Sequence, residues 1–172
     1  LVGEKKSTIK KIILTASGGP FRNFPKDKFS KISVNQALNH PNWKMGKKIT
    51  IDSATMMNKG FEMIEAFWLF GINPKNIEIV VHPQSIIHSM VEFVDGSIKA
   101  QLSNPDMRMP IQYAFSYPDR YELNDLEFDI KKFSKLDIEP LNMNKFKCVE
   151  LSFDAINKGG SYPVILNVSN DI

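Results

Sequence analysis

Residues Ile9-Lys10-Lys11-Ile12-Ile13-Leu14-Thr15 run straight into Ala16-Ser17-Gly18-Gly19-Pro20. The first seven are rich in β-branched and aliphatic side chains, and the unbroken apolar run Ile12-Ile13-Leu14 predicts a strand that becomes fully buried. The group that follows is a glycine-rich turn at the strand's C-terminal end. Open α/β sheets place ligands at that end of their strands, and glycine lets backbone approach an anion closely. Ser17 would supply a hydroxyl there, although many turns of this kind hold no ligand.

Working outward, residues 77–81 form a second buried strand, and residues 86–94 and 97–102 flank Asp95-Gly96, the pair preferred in a tight hairpin turn. Residues 25–29 and 34–38 read as short helical turns, the second starting at Ser33, and residues 40–46 as a loop bounded by Pro41 and Gly46. Residues 48–51 read as a short strand, after which Asp52 or Ser53 caps a helix running to about Phe70. Met57, Phe61, Ile64 and Trp68 recur on that helix as a buried stripe, and Gly71 stops it. A helix over 110–117 begins at its proline, residues 118–140 read as a linker or extended arm, and residues 144–157 form an amphipathic helix stopped by Gly159-Gly160. Strands and helices alternate early and a hairpin sits in the middle. The fold class is therefore α/β, a mixed sheet with flanking helices.

Charge and composition narrow the function classes. Twenty-two basic against nineteen acidic residues leave +3, too small an excess to argue for nucleic acid. The locally basic runs 26–31 and 44–48 read as solvated surface, equally compatible with a phosphorylated small molecule. No stretch approaches the roughly 18 apolar residues of a membrane span, and the first residues lack the apolar core of a signal peptide. One cysteine, Cys148, excludes an internal disulfide and a multi-cysteine zinc site, and its helical context suggests a buried structural thiol. The dinucleotide fingerprint Gly-x-Gly-x-x-Gly does not occur, and the abrupt ends suggest a fragment.

The central helix carries the most chemistry. Asn58, Lys59 and Glu62 stand at i, i+1 and i+4, so an amide, an ammonium and a carboxylate project near one face. Such a group suits a polyhydroxylated anionic ligand: the carboxylate binds a hard cation and the lysine pairs with phosphate. The same spacing also describes a solvated Lys–Glu pair. Ser53 reads either as a helix cap or as a phosphate contact at a helix N-terminus. His40, His82 and His88 show no zinc-binding spacing. Trp43 and Met45 are large apolar residues in a Pro/Gly-bounded loop, tucked into the core or acting as a lid.

Several longer strings go further. They are Leu-Thr-Ala-Ser-Gly-Gly-Pro-Phe-Arg (14–22), His-Pro-Asn-Trp-Lys-Met-Gly-Lys-Lys-Ile (40–49), Asp-Ser-Ala-Thr-Met-Met-Asn-Lys-Gly (52–60), His-Pro-Gln-Ser-Ile-Ile-His-Ser-Met (82–90) and Asn-Pro-Asp-Met-Arg-Met-Pro-Ile (104–111). With Glu62, and in this order and spacing, they resemble the 1-deoxy-D-xylulose 5-phosphate reductoisomerase family over nearly the whole chain, most specifically from 14 to 120. The resemblance implies an NADPH- and Mg²⁺- or Mn²⁺-dependent enzyme. It isomerises and reduces 1-deoxy-D-xylulose 5-phosphate to 2-C-methyl-D-erythritol 4-phosphate in isoprenoid synthesis, in a bacterial cytoplasm or a plastid-type organelle.

The same resemblance implies roles and an organisation. Ser17, Ser53, Asn58 and Lys59 would hold the substrate around its phosphate, with His40 and Trp43 on a closing loop. Glu62 would be a metal ligand, with Lys59 and His88 beside it in the catalytic pocket, and Met45 and Met107 near the cofactor. Residues 1–120 would be the catalytic domain, 121–143 a linker arm and 144–172 the start of a helical C-terminal region. Intact members are homodimers with an N-terminal NADPH domain, and their remaining metal carboxylates lie just upstream of Leu1. The chain alone is then expected to be inactive. Residues 166–171 follow the family pattern only loosely. The rival readings are a non-catalytic sugar-phosphate-binding relative and a purely structural α/β domain.

Overall fold

The computed structural model of the chain describes residues 3–42, 44–133 and 135–172. In chain order its elements are β1 (Ile9–Ala16), α1 (Val34–Ala37), α2 (Lys47–Thr55), α3 (Met57–Phe70), β2 (Ile77–Val81), β3 (Ile87–Phe93), β4 (Ile98–Leu102), α4 (Arg108–Ser116), β5 (Glu139–Pro140), α5 (Lys147–Lys158) and α6 (Tyr162–Asn170). The five strands form one sheet in the order β4-β3-β1-β2-β5. β1 is the centre, parallel to β2 and antiparallel to β3. The mixed sheet with flanking helices expected from the sequence is what forms.

Alternation along β1 divides the core. Ile12 faces one side of the sheet and joins Ile77, Ile79, Met56, Met63, Val149 and Ile156 beneath α3 and α5. Ile13 faces the other side and joins Val80, Ile87 and Met90. Met63 and Val149 are fully buried, and each such side chain contributes about 1.5–3 kcal/mol relative to exposure. This packing brings α5, from late in the chain, onto the helix that carries the polar face.

Two expectations are corrected at the centre of the chain. Residues 48–51 are helical, not a strand. Gly46 caps α2, Thr50 donates its hydroxyl to the Gly46 carbonyl at 2.8 Å, and the alternation of Ile49 and Ile51 with polar residues imitates a strand. Nor does Asp52 or Ser53 cap the central helix, since both are buried inside α2. The break comes at Met56, whose φ of 64° is left-handed. The cost of that conformation is offset by burial, because the Met56 side chain is only 1% exposed.

The expected stripe on α3 is rotated as a result. Met57, Gly60, Met63 and Ala66 face inward, whereas Ile64 packs only at the margin of the core and Trp68 is 69% exposed. Gly60 sets this phase: a Cβ there would lie 2.0 Å from Ser152 Oγ and 2.8 Å from Ser152 Cβ on α5. Gly60→Ala therefore forces the helices apart and costs about 1–3 kcal/mol, measured as a lower urea midpoint. Adding Ser152→Gly should restore most of the loss. An unchanged midpoint in Gly60→Ala would mean that the two helices do not touch.

Smaller boundaries also move. α4 begins at Arg108 rather than at Pro110, because Asp106 accepts from the Arg108 backbone N–H at 2.8 Å. The late amphipathic helix starts at Lys147, after a turn closed by Asn142 accepting from the Lys145 N–H. Cys148 is half-buried rather than buried, and its thiol pKa is pushed up by desolvation. The stretch after α4 is mostly irregular, with one 3-10 turn at Ile130–Lys132, and it returns to the sheet as β5 beside β2. No described helix is long and apolar enough to cross a membrane.

Candidate active site

The C-terminal end of β1 opens into a cavity of about 340 Å³. Thr15 at that end donates its hydroxyl to the carbonyls of β3, at 2.6 Å to Ile87 and 2.9 Å to His88, fixing the two strands side by side. The next residue but one, Ser17, enters the cavity wall. Gly19 has φ of 61° and sits against α2, where a Cβ would meet the Ser53 carbonyl oxygen at 2.6 Å. Only glycine fits that approach, which is how the turn and α2 come to share one wall.

The break at Met56 aims the start of α3 into the same space. Asn58, Lys59 and Glu62 line the cavity with Ser17, His40 and Ser53. His88, Met45 and Met107 complete the part expected from the sequence. Trp43 lies outside the described residues. Met45 and Met107 are 37% and 56% exposed, so they stand at the rim and Met45 is not tucked into the core. Ser53 arrives from within α2, not from a helix start. Ile49 and Ser85 also line the cavity, and neither is singled out by the sequence. Ser85 carries φ of 54°, and nothing in the local pattern marks a serine for that conformation.

Hydrogen bonds set the polarity of the site. Lys59 Nζ bridges both Glu62 carboxylate oxygens at 2.8 and 2.7 Å. The lysine is 14% exposed and the glutamate 39%, so the ammonium is the more enclosed partner. Asn58 Oδ1 is buried without a hydrogen-bond partner, an acceptor that a ligand group or water would satisfy. His88 Nε2 lies 2.7 Å from Ser103 Oγ, whose hydroxyl donates to the Asn104 carbonyl at 2.9 Å, so the histidine is the donor of the pair. His40 Nε2 lies 3.1 Å from Ser17 Oγ, which also accepts from the Gly19 N–H at 3.3 Å.

Burial holds both cavity histidines below the ordinary imidazole value. The unfolded chain then takes up their protons near pH 6.5, before the folded chain does. The native state binds fewer protons in that window, so stability falls as pH drops below 6.5 and the loss is complete below the folded values. Urea midpoints at about pH 7.5 and about pH 5 should show this drop, and a His40→Gln, His88→Gln variant should lose less. Equal drops in both proteins would assign the effect to other groups.

The donor set bears on metal binding. Glu62 and the unsatisfied Asn58 oxygen are hard ligands of the kind a divalent cation takes, yet the three oxygens of these two residues fall short of the near-octahedral shell of such ions. No group of three or more His, Cys, Asp or Glu suited to a metal occurs among the described residues. These residues therefore offer part of a metal site rather than a whole one. The start of α3 suits an anion: a helix N-terminus with no acidic residue in its first turn, beside an ammonium, an amide and two hydroxyls.

Comparison with known proteins gives a consistent result. A family model described as the 1-deoxy-D-xylulose 5-phosphate reductoisomerase C-terminal domain matches residues 1–70, and one described as the DXP reductoisomerase C-terminal domain matches residues 102–172. Both descriptions say C-terminal domain, which corrects the expectation of a catalytic domain. The chain is 59% identical over 172 residues to 1-deoxy-D-xylulose 5-phosphate reductoisomerase of Chloroherpeton thalassium, covering 100% of the chain and 44% of that protein. It is 56% identical over 171 residues to that of Acetivibrio thermocellus, covering 99% and 45%. Among solved structures it resembles a DOX-P reductoisomerase in complex with NADPH, fosmidomycin and magnesium, with a TM-score of 0.91 and 45% identity over 95% of this chain and 40% of that one. The Zymomonas mobilis protein in complex with NADPH matches with a TM-score of 0.91 and 43% identity over 100% and 44%. The chain spans less than half the length of the curated relatives it matches.

Proposed function

The chain belongs to the 1-deoxy-D-xylulose 5-phosphate reductoisomerase family, and from that premise we propose that it supplies the sugar-phosphate pocket of an NADPH- and divalent-metal-dependent enzyme making 2-C-methyl-D-erythritol 4-phosphate. The observation that carries this reading is convergence. Ser17 after β1, Ser53 on α2, and Asn58, Lys59 and Glu62 on α3 meet in one cavity at a helix N-terminus. In this reading residues 1–120 carry the pocket, 121–143 are the arm and 144–172 the start of the helical region.

Each residue then has a physical task. Lys59, Asn58 and the two serines take the phosphate, far enough from the reacting carbons to stabilise the bound state without entering the chemistry. The neutral His88 presents a polar wall without adding charge. Met45 and Met107 give the rim apolar surface against which a nicotinamide would pack, and the loop bearing His40 and Met45 would cover the substrate and keep water out. Glu62 would supply one ligand to a divalent cation, whose chemistry there would be to polarise a carbonyl and stabilise alkoxide charge. β4, the outer strand with mostly exposed residues, supports a homodimer in the intact protein.

The test is substrate-dependent oxidation of NADPH by the full-length polypeptide with Mn²⁺, beside calorimetric binding of the sugar phosphate. Turnover supports the enzyme reading. Binding without turnover favours the non-catalytic sugar-phosphate relative, and neither one, in a folded protein, removes the pocket reading altogether.

A further inference from the structure

Asn42 lines no part of the phosphate cradle, yet it joins two walls of the cavity. Its backbone N–H donates to His40 Nδ1 at 3.1 Å. Its side-chain Nδ2 donates to the Pro83 carbonyl at 2.8 Å and to Ser85 Oγ at 3.3 Å. The segment it grips is the connection between β2 and β3, which is anchored from its far side as well. His82 Nδ1 lies 2.7 Å from the Asp137 carbonyl, and Gln84 Nε2 donates to Asp137 Oδ2 at 2.8 Å. Asn42 thus ties an exposed loop to a fixed part of the frame.

We infer that Asn42 is a positioning residue: its side chain latches the loop to the β2–β3 connection and so holds its backbone N–H where it sets the tautomer of His40. A neutral imidazole has one N–H and one bare nitrogen. With Nδ1 accepting from Asn42, the proton sits on Nε2, which donates to Ser17 Oγ at 3.1 Å. Ser17 Oγ then accepts two hydrogen bonds, from His40 and from the Gly19 N–H. Its own proton is left to donate to an anion in the cavity. In the other tautomer Ser17 would have to donate to His40, and the anion would face a lone pair. The carbonyl at Pro83 explains the residue type, because a side chain without an N–H leaves that acceptor unmet and releases the loop.

The inference rests on the sugar-phosphate reading for its effect on binding, but not for the tautomer. The experiment measures ¹⁵N ring shifts of His40 in the full-length protein, identified by the resonance lost in His40→Gln, together with inorganic phosphate binding. The variants are Asn42→Ala and Asn42→Asp, the latter nearly isosteric but without a side-chain N–H. Wild type should show the Nε2–H tautomer. Both variants keep the backbone N–H but lose the anchor that holds it against His40, so both should show a tautomer mixture and weaker phosphate binding, on the order of tenfold, with KM rising more than kcat falls. A merely structural role would lower the melting temperature and leave the tautomer alone. An unmoved tautomer in both variants overturns the inference whatever the affinity does. A moved tautomer with unchanged phosphate affinity overturns the link to Ser17. Wild type that binds no phosphate counts against the pocket reading, and the latch then stands on the tautomer alone.

Discussion

Glu62→Gln in the full-length protein should lower kcat/KM by about a thousandfold, because one metal-binding charge is worth several kcal/mol of transition-state stabilisation. The substitution keeps the side chain's length, and its amide oxygen still accepts from Lys59, so the fold should survive with a near-normal melting temperature. A second effect has the opposite sign. Lys59 Nζ donates to both Glu62 oxygens, so a phosphate must compete with that carboxylate. Removing the charge leaves the ammonium with a weaker, neutral acceptor, and inorganic phosphate should bind about threefold to fivefold more tightly, the scale of a partly exposed ion pair. Lost turnover with tighter phosphate binding fits a residue on the metal side of the site. Turnover within a few-fold of wild type would remove Glu62 from that role.

Lys59→Met should raise KM for the sugar phosphate by roughly tenfold to a hundredfold, the range for losing a hydrogen bond to a charged group. Methionine keeps the apolar stem, so the packing beside Glu62 is largely retained. The decisive comparison uses the same sugar without its phosphate. If Lys59 acts on the phosphate, wild type and variant should handle the unphosphorylated sugar alike, and the difference of differences isolates that one contact. An equal loss with both sugars would place Lys59 at the reacting carbons instead. A loss confined to kcat would point the same way.

β1 to β4 are readable because their signals are local, whereas β5 hides in the stretch read as an arm. Ile12 to Leu14 and residues 77–81 are apolar runs of strand length, and Asp95-Gly96 turns a hairpin whether or not anything packs on it. The chemistry-bearing residues are readable as well, Asn58, Lys59 and Glu62 from helical spacing and the rest from motif order. What escapes depends on distant contacts. A left-handed methionine is improbable from sequence, and Met56 adopts that conformation because its side chain is buried among residues from β1, β2 and α5. Without that break, the helix is capped at the wrong place and its buried face takes the wrong phase. Asn42 and Ser85 escape for a similar reason, being ordinary loop polars until the fold puts them side by side.

The packing of α5 on α3 has a consequence for synthesis. The Ser152 hydroxyl donates to Met57 Sδ at 3.7 Å across 95 positions of sequence. A ribosome adding about 5–20 residues per second needs roughly 5–19 seconds to make that length. For that interval the nascent helix bearing Lys59 and Glu62 carries a bare apolar stripe, Met57, Met63 and Ala66, with its late partner not yet made. The binding face of this chain is thus complete only once α5 has been made, and until then that stripe is a natural target for a chaperone.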